Sequence, residues 1–215
     1  MWKYISYIIT QIFKASINLS HYLKKWKTAT IIVLRKPRKP DYTMPGAYRP
    51  ISLLNTLGKL LEVVITQCLS YYTETHNLLP DTQFSRRPGR TTEQALLVLA
   101  NTINQAWLKN KVVTLVAFDL KGAFNSINKL TLNLCLRESS IPKITKKWIQ
   151  SFIEERMASI KFDNFKTKAA PLKNAGLTQG SPLLPILFTF FNSDLIDQPV
   201  DTKGGASVYI NNYFR

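Results

Sequence analysis

The chain has 215 residues, enough for one sizeable domain or two small lobes sharing a core, and 45% of them are hydrophobic and 11% aromatic, which excludes wholesale disorder. Its 29 Lys and Arg outnumber 13 Asp and Glu, giving a formal net charge of +16. No acidic residue precedes Asp41, whereas Lys3, Lys14, Lys24, Lys25, Lys27, Arg35, Lys36, Arg38 and Lys39 all do. Such a field favours a polyanion as partner, nucleic acid ahead of an anionic membrane surface or a merely solvated basic face. Cys68, Cys135, His21 and His76 are the only cysteines and histidines. They have neither zinc-ligand spacing nor a disulfide framework, which suits a reducing, intracellular compartment.

Residues 4–13 are apolar behind Lys3 and faintly imitate a signal peptide. Gln11 and Lys14 interrupt the run well short of the roughly 20 residues of a membrane span, so stable membrane association is not expected. Ile5, Ile8, Ile9, Ile12, Phe13 and Ile17 recur at helical spacing, which predicts an amphipathic helix within residues 1–25. Residues 26–34, WKTATIIVL, read as a strand. Residues 35–50 form a cationic segment with four prolines that cannot be regular throughout. Helical periodicity returns over residues 53–72.

Thr91 and Gln94 form a capping box, with Leu96, Leu99, Ala100, Ile103 and Trp107 on one face of the helix behind it. Residues 112–120, VVTLVAFDL, predict a strand buried on both faces, interrupted by Asp119 near its end. Helices are expected over 123–137 and 143–155, then a hairpin of 158–162 and 165–168 turning on Asp163-Asn164. An apolar helix, 183–196, and a last strand, 206–210, complete an α+β order.

Three stretches carry chemistry. In FDLKGAFN, Asp119 sits at the end of a buried strand, where a carboxylate is costly unless paired, bound to a metal or used to cap the next helix. In GLTQGSPLLPIL, Gly180 lets backbone approach a ligand, Gln179 lies on the loop beside it, and Pro182 suits the first turn of the following helix. In VYINNYF, Asn211-Asn212 is sound hairpin-turn chemistry by itself.

Taken in order, WKTATIIVLRKP, AYRPISLLNTLGKLLE, LLPDTQFSRRPGRTTEQAL, FDLKGAFNSI, GLTQGSPLLPILF and YINNYF resemble the motifs of non-LTR (LINE-like) retrotransposon reverse transcriptases from about Trp26 onward. The resemblance implies a right-hand polymerase, with an N-terminal helix over 1–25, fingers over 26–111 and a palm over 112–215 whose antiparallel sheet packs on helices. It also implies that the palm is incomplete at its C-terminal end and the thumb absent. Asp119 matches the first metal-binding carboxylate, and Phe124 the aromatic that screens the 2′ position of the incoming sugar. Gln179 and Gly180 match the loop against nucleotide and template, and Arg49 the finger arginine on the nucleotide phosphates. Lys36 and Arg90 are further phosphate candidates. The family's partners are an RNA template, a DNA primer and deoxynucleotides, with Mg²⁺ as cofactor.

Ser85, Leu184 and Asn125 depart from the family pattern without removing its chemistry. Asn211 and Asn212 stand where the family has the metal-binding Asp pair, so weak Mg²⁺ binding and little polymerisation are expected. The alternative from another class is a non-catalytic basic module that binds RNA or DNA.

Overall fold

The computed structural model describes residues 2–117, 127–172 and 180–193. Six α-helices and a five-stranded sheet are formed among them. The first helix, α1 (Trp2–Asn18), is the expected amphipathic one, but only its second half meets the core, through Ile12, Phe13 and Ile17. Ile5 and Ile8 stay exposed. A short 3₁₀ turn, Lys24–Trp26, leads into β1 (Thr28–Arg35).

The cationic segment after β1 closes with another 3₁₀ turn, Pro45–Ala47, and feeds β2 (Tyr48–Leu53), which pairs antiparallel with β1. Only then does the helix expected from residue 53 begin, as α2 (Thr56–Thr75). Asn55 caps it, its side chain accepting from the Leu57 and Gly58 N–H groups at 3.0 and 3.2 Å.

The capping box of α3 (Thr92–Leu108) forms as expected, Thr91 and Gln94 satisfying each other's backbone. The inward face is shifted, however. Ala95 is buried and Leu99 and Ile103 half-buried, while Leu96, Ala100 and Trp107 face out.

The predicted strand at 112–120 is the main departure. Residues 111–117 form no regular element, and Val112 is 94% exposed; 118–120 lie outside the described residues. An apolar run becomes a buried strand only with a partner on each side, and no described strand pairs with this one. The helix expected from 123 is α4 (Lys129–Glu138), started by Asn128, whose side chain accepts from Leu130 N–H at 2.8 Å; 123–126 lie outside the described residues.

The next helix, α5 (Lys143–Ile153), and the hairpin of β3 (Met157–Phe162) and β4 (Phe165–Lys166) agree with the sequence reading. Asp163 takes the positive φ of 49° that a tight turn requires. A short β5 (Ala170–Pro171) pairs with Met157 and Ala158 of β3, on the flank away from β1 that β4 also uses. The last described helix is α6 (Leu184–Phe191), so Pro182 precedes it instead of lying in its first turn, and Pro185 takes that place. The expected strand at 206–210 and its turn lie outside the described residues.

The sheet is mixed: its order is β2-β1-β3-β4, and β1 runs parallel to β3, Thr28 opposite Met157, whereas the described strands within 112–215, β3 with β4 and β5, pair antiparallel. The sheet does not supply the core. The large buried side chains come from α2, α4, α5, α6 and the connection after α1, whereas the strands bury little beyond Ala29, Ser52, Ala158 and Ser159. At the centre Tyr22 meets Trp26, Trp148 and Phe152 edge-on at 5.1–5.6 Å, and Trp148 stacks on Phe152. Such pairs add about 0.5–1.5 kcal/mol each beyond their buried area. The Trp148 indole N–H donates to Ser16 Oγ at 3.0 Å, which ties α5 to α1. No described helix is long and apolar enough to cross a membrane.

Gly58 on α2 admits this cluster, since a Cβ there would lie 2.5 Å from Tyr22 Oη and 3.2 Å from Trp26 Cβ. Replacing an interior helical glycine by alanine ordinarily gains up to about 1 kcal/mol. Gly58→Ala should instead lose about 1–3 kcal/mol in urea unfolding, through overpacking. An unchanged or higher midpoint would show that Tyr22 can move aside freely.

Candidate functional site

The loop expected to face a nucleotide is held at Gly180 and Ser181 by two contacts, one to β2 and one to α2. Gly180 has a φ of 111°, and a Cβ there would lie 2.8 Å from the Ser52 carbonyl oxygen on β2. Only glycine permits that approach. Ser181, the next residue, is buried and donates its hydroxyl to Oε2 of Glu62, while its Oγ accepts from Leu183 N–H at 3.2 Å. The other Glu62 oxygen accepts from Tyr22 Oη at 2.9 Å.

Glu62 is fully buried on α2, one residue past Leu61 and on the helix side that also carries Ile65 and Leu69. Burial pushes its carboxyl above the ordinary range, against the opposing pull of the Ser181 and Tyr22 hydroxyls and the Arg156 charge. Burial likewise raises the Tyr22 phenol, reinforced by the carboxyl beside it. Arg156, 3% exposed, lies 4.8 Å over the Phe152 ring, and Nη1 donates to the Phe152 carbonyl at 3.3 Å. Among the described residues its Nε and Nη2 make no hydrogen bond of good geometry, and burial lowers its pKa while the nearby Tyr22 and Glu62 oppose that change.

The expected phosphate-contacting cations differ in their freedom. Arg49 is exposed on β2 opposite Leu34, three residues before Ser52 and so about 10 Å along the strand from the Gly180 contact. Lys36 is half-buried and donates from Nζ to the Gly46 carbonyl at 2.9 Å. Arg90 is paired with Asp81, 2.7 Å to Oδ1 with a further bond to the carbonyl, and lies over the Phe84 ring. The neighbouring Arg87 is buried and bidentate to Glu74 at 2.9 and 3.0 Å. Asp119, Phe124, Gln179, Asn211 and Asn212 lie outside the described residues. Among the described ones no group of three or more His, Cys, Asp or Glu could hold a metal ion.

Sequence reasoning passed over Glu62, Tyr22 and Arg156. The available signal was Glu62 itself, a carboxylate on the same helical side as Ile65 and Leu69, four residues after a glycine.

The family described as reverse transcriptase (RNA-dependent DNA polymerase) matches residues 35–213. The chain belongs to the reverse transcriptase family, in its non-LTR, LINE-like branch. It is similar to the RNA-directed DNA polymerase from mobile element jockey of Drosophila melanogaster, 32% identical over 204 residues, covering 94% of this chain and 22% of that protein. It is also similar to the probable RNA-directed DNA polymerase from transposon BS of the same fly, 31% identical over 191 residues, covering 86% and 20%. A third relative is the Pol polyprotein from type-1 retrotransposable element R1 of Bradysia coprophila, 30% identical over 139 residues, covering 65% and 14%. The chain thus spans about a fifth of the length of the first two.

Glu62→Ala should cost about 3 kcal/mol or more, because it orphans two buried hydroxyls and leaves Arg156 without its counter-charge. The pH dependence has a definite sign. A native carboxyl that holds its proton more tightly than the unfolded chain loses stability as pH rises from the ordinary 4.5 through the raised value. Glu62→Gln removes that titration, so its stability relative to the parent should improve from about pH 4.5 toward neutrality. A difference flat across that window would mean that Glu62 ionises without penalty.

Proposed function

We propose that this chain is a reverse transcriptase domain of retrotransposon origin whose catalytic centre is disabled, and that it retains a nucleic-acid-binding surface. The fingers would span 26–111 and the palm 112–215. The observation that carries the reading is Asn211-Asn212 at the family's Asp-Asp position, downstream of an intact Asp119. Phosphoryl transfer of this class uses two Mg²⁺ to clamp the attacking and leaving oxygens. Hard Mg²⁺ favours anionic oxygen, and here one carboxylate and two amides stand in for three carboxylates. That donor set does not fit a pair of divalent ions. Each lost carboxylate removes several kcal/mol of transition-state stabilisation. At about 1.4 kcal/mol per factor of ten, losing two slows incorporation by about 10⁴-fold or more.

The remaining parts of a nucleotide site are compatible with binding. Gly180 lies against the strand that carries Arg49, which supports a shared role for the loop and the arginine toward an incoming triphosphate. Phe124 and Gln179 would complete the contacts to sugar and template. The net charge of +16 favours continued affinity for an RNA template and a primer duplex. It is also what supports the second reading, a basic RNA- or DNA-binding module with no chemistry of its own.

Primer extension on an RNA template with Mg²⁺ tests the first reading. The parent should incorporate deoxynucleotides at least about 10⁴-fold more slowly than the Asn211→Asp/Asn212→Asp double variant. Calorimetry should show the double variant binding Mg²⁺ more tightly. Equal rates and equal Mg²⁺ affinities would overturn it.

A further inference from the structure

Away from the loop at Gly180, the turn between α4 and α5 holds a cleft of about 260 Å³ whose charged lining among the described residues is cationic: Arg137, Lys143, Lys146 and Lys147, with Asn133 and Gln150 beside them. At about 30 Å³ per water, it has room for a phosphate group and its solvent. Lys146 is committed, since Nζ donates to the Arg137 and Ser139 carbonyls at 2.9 and 2.6 Å and so braces the end of α4. Arg137, Lys143 and Lys147 are exposed, and among the described residues none has a carboxylate within ion-pair distance. Glu138, the acid adjacent in sequence, lines a separate cavity together with Asn77 and Phe190.

Local stability does not explain this arrangement. Lys143 and Lys147 are like charges four apart on one helix, which repel. They lie in the opening turns of α5, where the helix dipole disfavours cations, and no acidic residue accompanies them there. The opposite side of α5 already anchors the helix through Trp148, Ile149, Phe152 and Ile153, so the lysines are not needed for packing. A local rule broken without compensation within the fold is expected where a ligand compensates it.

We propose that this α4–α5 cleft is a second RNA contact, a site for the phosphodiester backbone that uses Arg137, Lys143 and Lys147 and requires neither Asp119 nor the Asn211-Asn212 pair. RNA fits better than a membrane surface. The cleft is concave, Asn133 offers an amide for ribose or base edges while Gln150 contributes its amide oxygen, its Nε2 donating to Glu154 at 3.0 Å, and the apolar residue among the described lining, Leu136, is buried.

The experiment is anisotropy of a labelled single-stranded RNA bound to the full chain across a KCl series. Three proteins are compared: the parent, Lys143→Gln/Lys147→Gln, and Lys161→Gln/Lys166→Gln as a control at two exposed lysines of the hairpin. Circular dichroism melts confirm that each is folded. The cleft variant should lower the slope of log K against log salt by about 1.4, two phosphates at about 0.7 each, while the control stays within half of that change. An unchanged slope in the cleft variant, or an equal fall in both variants, would overturn the site. So would a loss confined to binding of anionic vesicles, which would assign the cleft to membranes. None of these outcomes bears on the rate of nucleotide incorporation, so the disabled-polymerase reading stands or falls separately.

Discussion

Taking the Glu62 carboxyl out of water imposes a demand that three distant segments must meet together. A buried carboxyl without partners would cost several kcal/mol, so Tyr22 and Ser181 both turn hydroxyls toward it. Tyr22 can do so only because Gly58 leaves room beside α2. Ser181 can do so only because Gly180 adopts a backbone conformation that presses it against β2. The position of the Gly180-Ser181 loop therefore depends on a residue after α1 and on another within α2. The aromatic nest around Tyr22 extends the same dependence to α5, through Trp148 and Phe152.

Elements with a local cause were legible in the sequence. The capping box at Thr91, the Asp163-Asn164 turn and the helix α5 each depend on residues a few positions apart, and each formed where expected. What depended on tertiary partners was not legible. Residues 111–117 have the composition of an interior strand, yet no described strand pairs with them. β2 was hidden because Pro50 and the cationic run before it resemble a loop, although Pro50 faces Val33 within the β1–β2 pairing. At the site, the motifs located Gly180 and Arg49 but not Glu62, whose role follows from burial alone.

The cations divide by what they touch. Arg87 and Arg90 satisfy acids, and Lys36 and Lys146 satisfy carbonyls, so these four serve the protein's own backbone and turns. Arg49, Arg137, Lys143 and Lys147 project from the surface without an ion-pair partner among the described residues. A net charge of +16 does not distinguish the two groups, which is why composition pointed to the type of partner but not to where it would bind.

The parallel pairing of β1 with β3 has a consequence for how the chain is made. Thr28 meets Met157 about 130 residues later in the sequence. At about 5–20 residues per second, a ribosome needs roughly ten seconds to deliver the second strand after the first. During that interval β1 can pair with β2 alone, and the flank that β3 will cover, with Ile31 and Ile32 on it, remains an open edge. Contacts this distant in sequence also slow folding once synthesis ends. The nascent protein therefore passes through a stage at which a chaperone, or another copy of the same edge, competes for the place of β3.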